Sequence, residues 1–485
     1  MATAPRGRDR PCFDDQGTEQ KPVRSDGPLP CGVAKGSLVS VEKVDLPQGL
    51  ANEPSLRRTV VAASVGNFVE WYEFAVYGVV AAYISKAMFP TDDPTAAMLN
   101  TWAAYGISFL VRPVGGVFLA RLGDRYGRRH ILYVTITLMS IATFCIALIP
   151  SYTTIGIAAP ILLICARIAQ GIAAGGELAG AAAFLYEHAP AHRRARLVSF
   201  LGVSTFCSIV LGSTLATVLT VALPADEMQS WGWRVVFATA LPLGFVGLYI
   251  RRSLQETPEF QQMHAQRNAT VAEPSSESLW LAMRQNGRAI LLYLGFGTFY
   301  SIAVYVSVAA YLAYMLSNGF SERAALTINT IAGLVIIAGI LLSGGLADRI
   351  GRKPILIGGA TAMAVGVVPT FLLGSTGTFA LGLLGALIFA IPLSVFLTPA
   401  VINVVELFPA KVRVTAGTAA YNLTVIIGGF MPFVAVWITD ATGSRLAFPA
   451  FIAAMAVLAL AVVVVWYREP DSDHASTRVG QELQR

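Results

Sequence analysis

Long apolar runs recur along the chain at 60–84, 98–120, 131–149, 155–182, 197–222, 233–250, 289–316, 325–346, 354–373, 378–402, 415–438 and 446–467, divided by short charged stretches. A helix rises 1.5 Å per residue and the hydrocarbon core of a bilayer is about 30 Å thick, so runs of this length cross it as helices. The pattern predicts an all-α polytopic membrane protein with twelve transmembrane helices. Residues 1–55 are rich in Pro, Gly, Asp, Arg and Ser and lack the apolar core of a secretory signal; they read as a disordered tail.

The loops differ in charge. Those after even-numbered runs hold Arg121, Arg125, Arg128, Arg129, Arg193, Arg194, Arg196, Arg251, Arg252, Arg284, Arg288, Arg349, Arg352, Lys353, Lys411 and Arg413, whereas the odd-numbered set has chiefly Arg323 and Arg445. An excess of Lys and Arg marks cytoplasmic loops, so both termini, including the tail 468–485, are expected in the cytoplasm. The longest loop, 251–288, divides the chain into two six-helix bundles, 56–250 and 289–467. An internal repeat supports that division. GDRYGRR (Gly123 to Arg129) follows the second run and ADRIGRK (Ala347 to Lys353) the eighth, with Asp124 and Asp348 in equivalent places. Repeated halves about a central site are a route to a transporter.

Composition narrows the function. At 55% hydrophobic and 13% charged, the chain is too apolar for a soluble domain. Its net charge of +6 sits in the short loops, which is a topology pattern and not a nucleic-acid surface. The five cysteines have no repeated spacing, so neither a disulfide framework nor a metal site is expected. Gly295 and Gly297 lack the third glycine of a nucleotide loop, and no nucleophile or cofactor motif stands out; the expectation is no cofactor and no enzyme.

The informative residues are charges inside apolar runs. An arginine at mid-membrane costs about 2.5–3.5 kcal/mol and persists beside a partner or a wet cavity. Arg167 opens RIAQGIAAGGE (Arg167 to Glu177), where Arg167, Gln170, Ala174 and Glu177 fall on one helical stripe. Asn67, Glu70 and Glu73 form a polar arc in the first run, and Arg112 lies about eight residues inside the second. At the helical rise these groups share one layer near the midplane, roughly 12–15 Å deep. A buried glutamate in a cavity that alternately wets and dries takes up and releases a proton, which makes Glu70 and Glu73 the proton-coupling candidates. Arg167 and Arg112 suit bidentate binding of a substrate carboxylate, with Asn67, Gln170 and Tyr72 beside them. The rival reading is a salt bridge that only fixes helix positions.

Nearer the cytoplasmic ends, ion pairs are expected to gate the halves: Glu177 with the Arg193 cluster, Asp124 with Arg125 and Arg128, and Asp348 with Arg349, Arg352 and Lys353. The second six runs carry uncharged polar groups, including Tyr293, Tyr300, Tyr305, Tyr311, Tyr314, Asn329, Asn403, Tyr421 and Asn422. An aromatic cluster there suits a substrate ammonium through cation–π contact.

Several stretches carry a family resemblance: GNFVEWYEFAVYG (Gly66 to Gly78), VRPVGG (Val111 to Gly116), ARIAQGIAAGGE (Ala166 to Glu177), WGWRVVF (Trp231 to Phe237), LYIRRSLQETPEF (Leu248 to Phe260) and ELFPAKVR (Glu406 to Arg413). With the repeated DRxGR loops, the chain resembles the major facilitator superfamily and, within it, the metabolite:proton symporter branch, which includes proline/glycine-betaine, α-ketoglutarate, shikimate and citrate transporters. The run from Pro150 to Gly171 looks most like the proline/betaine members. Two positions depart from the usual pattern, Ala120 where a glycine leads the first loop motif and Glu73 where aspartate is commoner.

The resemblance implies a major facilitator fold of two pseudo-symmetric halves in a bacterial cytoplasmic membrane, and it singles out Tyr421 and Asn422 as cavity-facing. The expected function is proton-coupled symport of a small carboxylate-bearing metabolite by alternating access, with a proline- or betaine-type osmolyte favoured. A di- or tricarboxylate substrate, or a non-transporting sensor of the same fold, stays open. The expected partners are the small molecule, protons and lipid, with no nucleic acid, and the expected working unit is a monomer.

Overall fold

The apolar runs form twelve long helices. The computed structural model describes residues 56–126, 128–251, 284–409 and 412–469, with side chains throughout except at 58, 120–121, 123–126, 128–132 and 251. The tail 1–55, most of the 251–288 loop, the residues after 469, and the side chains of Asp124, Arg125 and Arg128 therefore lie outside the described residues.

In chain order the long helices are α1 (Leu56–Val79), α2 (Pro94–Tyr126), α3 (Arg128–Leu148), α4 (Ala158–His188), α5 (Arg194–Ala222), α6 (Ala225–Ile250), α7 (Gly287–Ser317), α8 (Glu322–Ile350), α9 (Arg352–Gly374), α10 (Phe379–Glu406), α11 (Arg413–Thr442) and α12 (Ala447–Val465). Ten of them are long and apolar enough to cross a membrane. The other two are α3, whose apolar part is the shorter Tyr133–Leu148, and α1, which is made more polar by Arg57, Glu70 and Glu73.

The helices pack in a repeated scheme. Within the first six, α1 lies on α5, α2 on α4, α3 on α4, and α3 on α6; within the last six, α7 lies on α11, α8 on α10, α9 on α10, and α9 on α12. Adding six to each index of the first set gives the second. The two main junctions between the sets, α5 with α8 and α2 with α11, exchange under the same shift. This is two-fold pseudo-symmetry expressed as contacts, and it makes α2, α5, α8 and α11 the main boundary between halves, with α1 meeting the π-helical stretch of α7 between them.

Small residues set the close approaches. A Cβ on Gly171 of α4 would fall against the Ser108 carbonyl of α2, and one on Gly115 of α2 against Ile172. Gly175 meets Gly116 and the Arg112 carbonyl in the same way. Without side chains at these points, the α2 and α4 backbones come near enough to bring Arg112 and Arg167 into one layer. Helix α4 breaks at Ala174–Gly176 before resuming at Glu177, and α7 widens into a π-helical stretch at Val306–Ala310. Gly351, between α8 and α9, has φ +92°, a left-handed conformation that explains the glycine in the DRxGR loop.

Candidate functional site

The polar arc of α1 forms as its spacing predicts, but its three members face three different neighbours. Three-residue steps on a helix rotate by about 300°, so Asn67, Glu70 and Glu73 fan across a third of the circumference. Asn67 donates to the Leu201 carbonyl at 2.9 Å and to Ser204 Oγ and Thr205 Oγ1 at 2.8 and 2.9 Å, which ties α1 to α5 inside the first half. Glu73 lies toward Thr143 of α3 and Arg167 of α4, also inside the first half, with its carboxylate oxygens buried and without a hydrogen-bond partner among the described residues. Glu70 alone of the three turns to the boundary.

There it pairs with Arg112, Oε1 to Nη2 at 2.9 Å, with both side chains only 1% exposed. The Arg112 guanidinium lies 4.5 Å from the Phe74 ring centre and 5.1 Å from that of Phe109. Second-half tyrosines close over the pair. Tyr300, Tyr305 and Tyr421 lie near Glu70, and Tyr305, Tyr421 and Tyr105 near Arg112. Breaking a buried ion pair by removing one partner costs about 3–5 kcal/mol, whereas neutralising both together costs little. The pair is therefore stable while both groups are charged, and loss of charge on one partner leaves the other buried without compensation.

Arg167 forms a second centre, deeper in the first half. Its guanidinium lies 3.7 Å from the Tyr77 ring centre, and Nη1 donates to Gln170 Oε1 at 2.7 Å. Gln170 in turn donates to Thr143 Oγ1 at 2.5 Å. Of the predicted stripe Arg167, Gln170, Ala174 and Glu177, the first two bond to each other and face α1, α2 and α3, not the second half, whereas the break at Ala174–Gly176 interrupts the helix before Glu177. Tyr72 also points inward, donating to the Val236 carbonyl at 3.0 Å and bonding Thr239 Oγ1 at 2.5 Å. Tyr421 and Asn422 behave differently: Tyr421 is buried over the Glu70 pair, and Asn422 donates at 2.7 Å to the Gly175 carbonyl at the break in α4, joining the halves.

At the α8 C-terminal end, one expected pairing is replaced. Asp348 does not pair chiefly with its neighbouring basic residues; it accepts from the Ala195 and Arg196 backbone N–H groups, both at 2.9 Å, and so caps α5 of the other half. Arg352 stands 3.9 Å from Asp348 and makes its close pair with Glu406 at 2.7 Å. The replacement has a clear cause, because the first turn of a helix offers unpaired N–H donors and a positive dipole end. Arg413 bridges to Glu187 of the other half at 2.9 Å. Glu177 starts the second segment of α4. At the opposite end of α8, Tyr83 donates to Glu322, again across the halves. Glu406, Glu187, Tyr83 and Glu322 escape sequence reasoning because their partners are far away in the chain; for Glu406 the only signal is its place in ELFPAKVR.

Two family descriptions match the chain, "Sugar (and other) transporter" over residues 59–273 and "Major Facilitator Superfamily" over residues 294–484. Among curated relatives, the proline/betaine transporter of Salmonella typhimurium is 35% identical over 85% of this chain and 83% of its own length. The glycine betaine/proline/ectoine/pipecolic acid transporter OusA of Dickeya dadantii is 36% identical over 83% and 81%, and a putative proline/betaine transporter of Staphylococcus aureus is 34% identical over 84% and 87%. The fold is similar to that of the xylose transporter XylE from E. coli, with a TM-score of 0.70 at 19% identity over 85% of this chain and 98% of that one. With relatives so similar along so much of its length, and with this repeated helical frame, the chain belongs to the major facilitator superfamily as a multi-pass membrane transporter and not an enzyme.

Proposed function

We propose that the chain is a proton-coupled symporter of a small zwitterionic osmolyte of the proline/betaine type, working by alternating access of its two halves. The observation that carries this reading is the Glu70–Arg112 pair, 2.9 Å apart, 1% exposed, and placed where both halves meet. Protonation of Glu70 frees Arg112 to take the substrate carboxylate, so the proton and the solute are loaded at one place. Glu73 and Arg167 lie near each other inside the first half, with the Glu73 carboxylate buried and without a hydrogen-bond partner among the described residues.

A single carboxylate on the substrate is favoured over two or three. Among the described residues, the buried polar side chains of the second half are Ser, Thr, Asn and Tyr, with no buried Lys or Arg to meet a further carboxylate. The names of the relatives point to the same substrate class. The positive loops support a cytoplasmic location for the Asp348 end and both termini, with Asp348, Arg352, Glu406, Glu187 and Arg413 acting there as the inner gate. One chain holds the whole site, which supports a functional monomer.

The test is uptake of labelled proline, glycine betaine, α-ketoglutarate, citrate and shikimate into proteoliposomes, with and without an imposed inward proton gradient. Gradient-dependent accumulation of proline or betaine is the expected result. Accumulation of only the di- or tricarboxylates would overturn the substrate assignment, and binding without accumulation of any would favour a sensor.

A further inference from the structure

The second segment of α4, Glu177–His188, packs on α1 and α5 of its own half and on α10 and α11 of the other. Its last turn carries Tyr186 and Glu187 into the charged cluster at the Asp348 end. Two guanidiniums share the Tyr186 ring, one from each half. Arg194 of α5 has its Cζ 4.4 Å from the ring centre and donates from Nη1 to Tyr186 Oη at 3.1 Å. Arg413 of α11 has its Cζ 4.9 Å from the same centre. Glu406 of α10 lies near both the ring and Arg194.

Arg413 is anchored on its own half and reaches across to the other. Its Nε donates to the Val405 carbonyl at 3.2 Å, while Nη1 donates to Glu187 Oε1 at 2.9 Å. Two groups of the first half therefore hold it, the Glu187 carboxylate and the Tyr186 ring. The Glu187 side chain is 44% exposed, and an ion pair so open to water is screened and shifts an equilibrium by at most about fivefold. The ring is better sheltered. Tyr186 is partly buried, and an aromatic face attracts a planar guanidinium through its quadrupole without a carboxylate having to shed its water. Two like charges on one ring repel each other, and Glu406 and Glu187 offset this while the halves are together.

We infer that Tyr186 is the joint of the inner gate: its face, more than the Glu187 carboxylate, holds Arg413 of the second half against the first and so biases the protein away from opening at the Asp348 end. This rests on the inner-gate reading above. Tyr186 is a positioning residue that acts through Arg413. When the halves part, Arg413 leaves the ring with α11, whereas Arg194, on the same half as the ring, stays on it.

The experiment measures labelling rates of single cysteines at the Asp348 end and at the Glu322 end, in the full chain in proteoliposomes with the native cysteines replaced. Tyr186→Phe keeps the face and is expected to label within about twofold of wild type at both ends. Tyr186→Leu is expected to label about 5- to 30-fold faster at the Asp348 end and more slowly at the Glu322 end, and to exceed Glu187→Gln at the first. In an Arg413→Gln background the added effect of Tyr186→Leu is expected to shrink to within about twofold, because the guanidinium that the ring holds is gone. Tyr186→Met takes the place of the leucine variant if that one does not insert. Five results would each overturn the joint while leaving the inner gate standing: no acceleration by Tyr186→Leu, equal rates for the phenylalanine and leucine variants, faster labelling at both ends, a Glu187→Gln effect as large as that of Tyr186→Leu, or an undiminished leucine effect in the Arg413→Gln background. No acceleration by Arg413→Gln itself would remove the inner gate and the joint with it.

Discussion

At the scale of single residues, the central question is which buried charge switches. Removing Arg112 alone leaves Glu70 buried without its 2.9 Å partner, so Arg112→Gln is expected to lower stability by about 3–5 kcal/mol, read as thermal unfolding in detergent. The double variant Glu70→Gln with Arg112→Gln is expected to recover most of that loss and none of the gradient-driven uptake. A single variant as stable as wild type would show that the pair is not buried as described. Glu70→Gln alone should uncouple uptake from pH, and full retention of pH-driven accumulation would remove Glu70 from the proton role. The sequence announced these residues by their cost in a membrane, yet it did not separate Glu70 from Glu73. Spacing defines the polar arc of α1, but which member meets the second half depends on how α5, α3 and α2 are arranged around it. The same limit explains Arg167, whose stripe was legible while its aromatic neighbour Tyr77 was not.

At the scale of elements, apolar run length gave the twelve helices and left their breaks unseen. The runs of small residues in α2 and α4 signal close packing, and the structure supplies the contacts. A Cβ on Gly171 would fall against Ser108, and moving α4 away from α2 would displace Arg167 relative to Arg112. Gly171→Ala is therefore expected to cost about 1–3 kcal/mol and to reduce uptake as well. Gly180, in the second segment of the same helix, has open space where a Cβ would stand, so Gly180→Ala is expected to be neutral or stabilising by up to about 1 kcal/mol. Thermal unfolding of the two variants side by side checks this; equal effects would show that glycine content, and not the α2–α4 approach, governs the helix. The break at Ala174–Gly176 was hidden because the apolar run continues through it, whereas its purpose becomes visible only with Asn422 seated on the Gly175 carbonyl.

At the scale of the whole molecule, bridges hold the halves together at both ends of α8, and they differ in strength. Asp348 accepts two backbone N–H bonds from the first turn of α5, while Tyr83 gives one hydrogen bond to Glu322. Hydrogen bonds to charged groups contribute about 1.5–3 kcal/mol each, and the positive end of the helix adds to the first of these bridges. The repeated DRxGR loop made the location of the Asp348 bridge legible, but its partner was not, because a backbone cap carries no sequence signature. A transporter that alternates must break one end while keeping the other, so each bridge biases the equilibrium away from opening on its own side. Asp348→Ala is expected to shift the population about 100-fold or more toward opening at that end, and Tyr83→Phe about 10- to 100-fold toward opening at the Glu322 end. Labelling rates of single cysteines placed at each end, in a background where the native cysteines are replaced, measure both shifts. The expected pattern is reciprocal, with faster labelling at the end whose bridge is removed and slower labelling at the other. Faster labelling at both ends in either variant would mean that the bridges hold the fold together without selecting between its two open states.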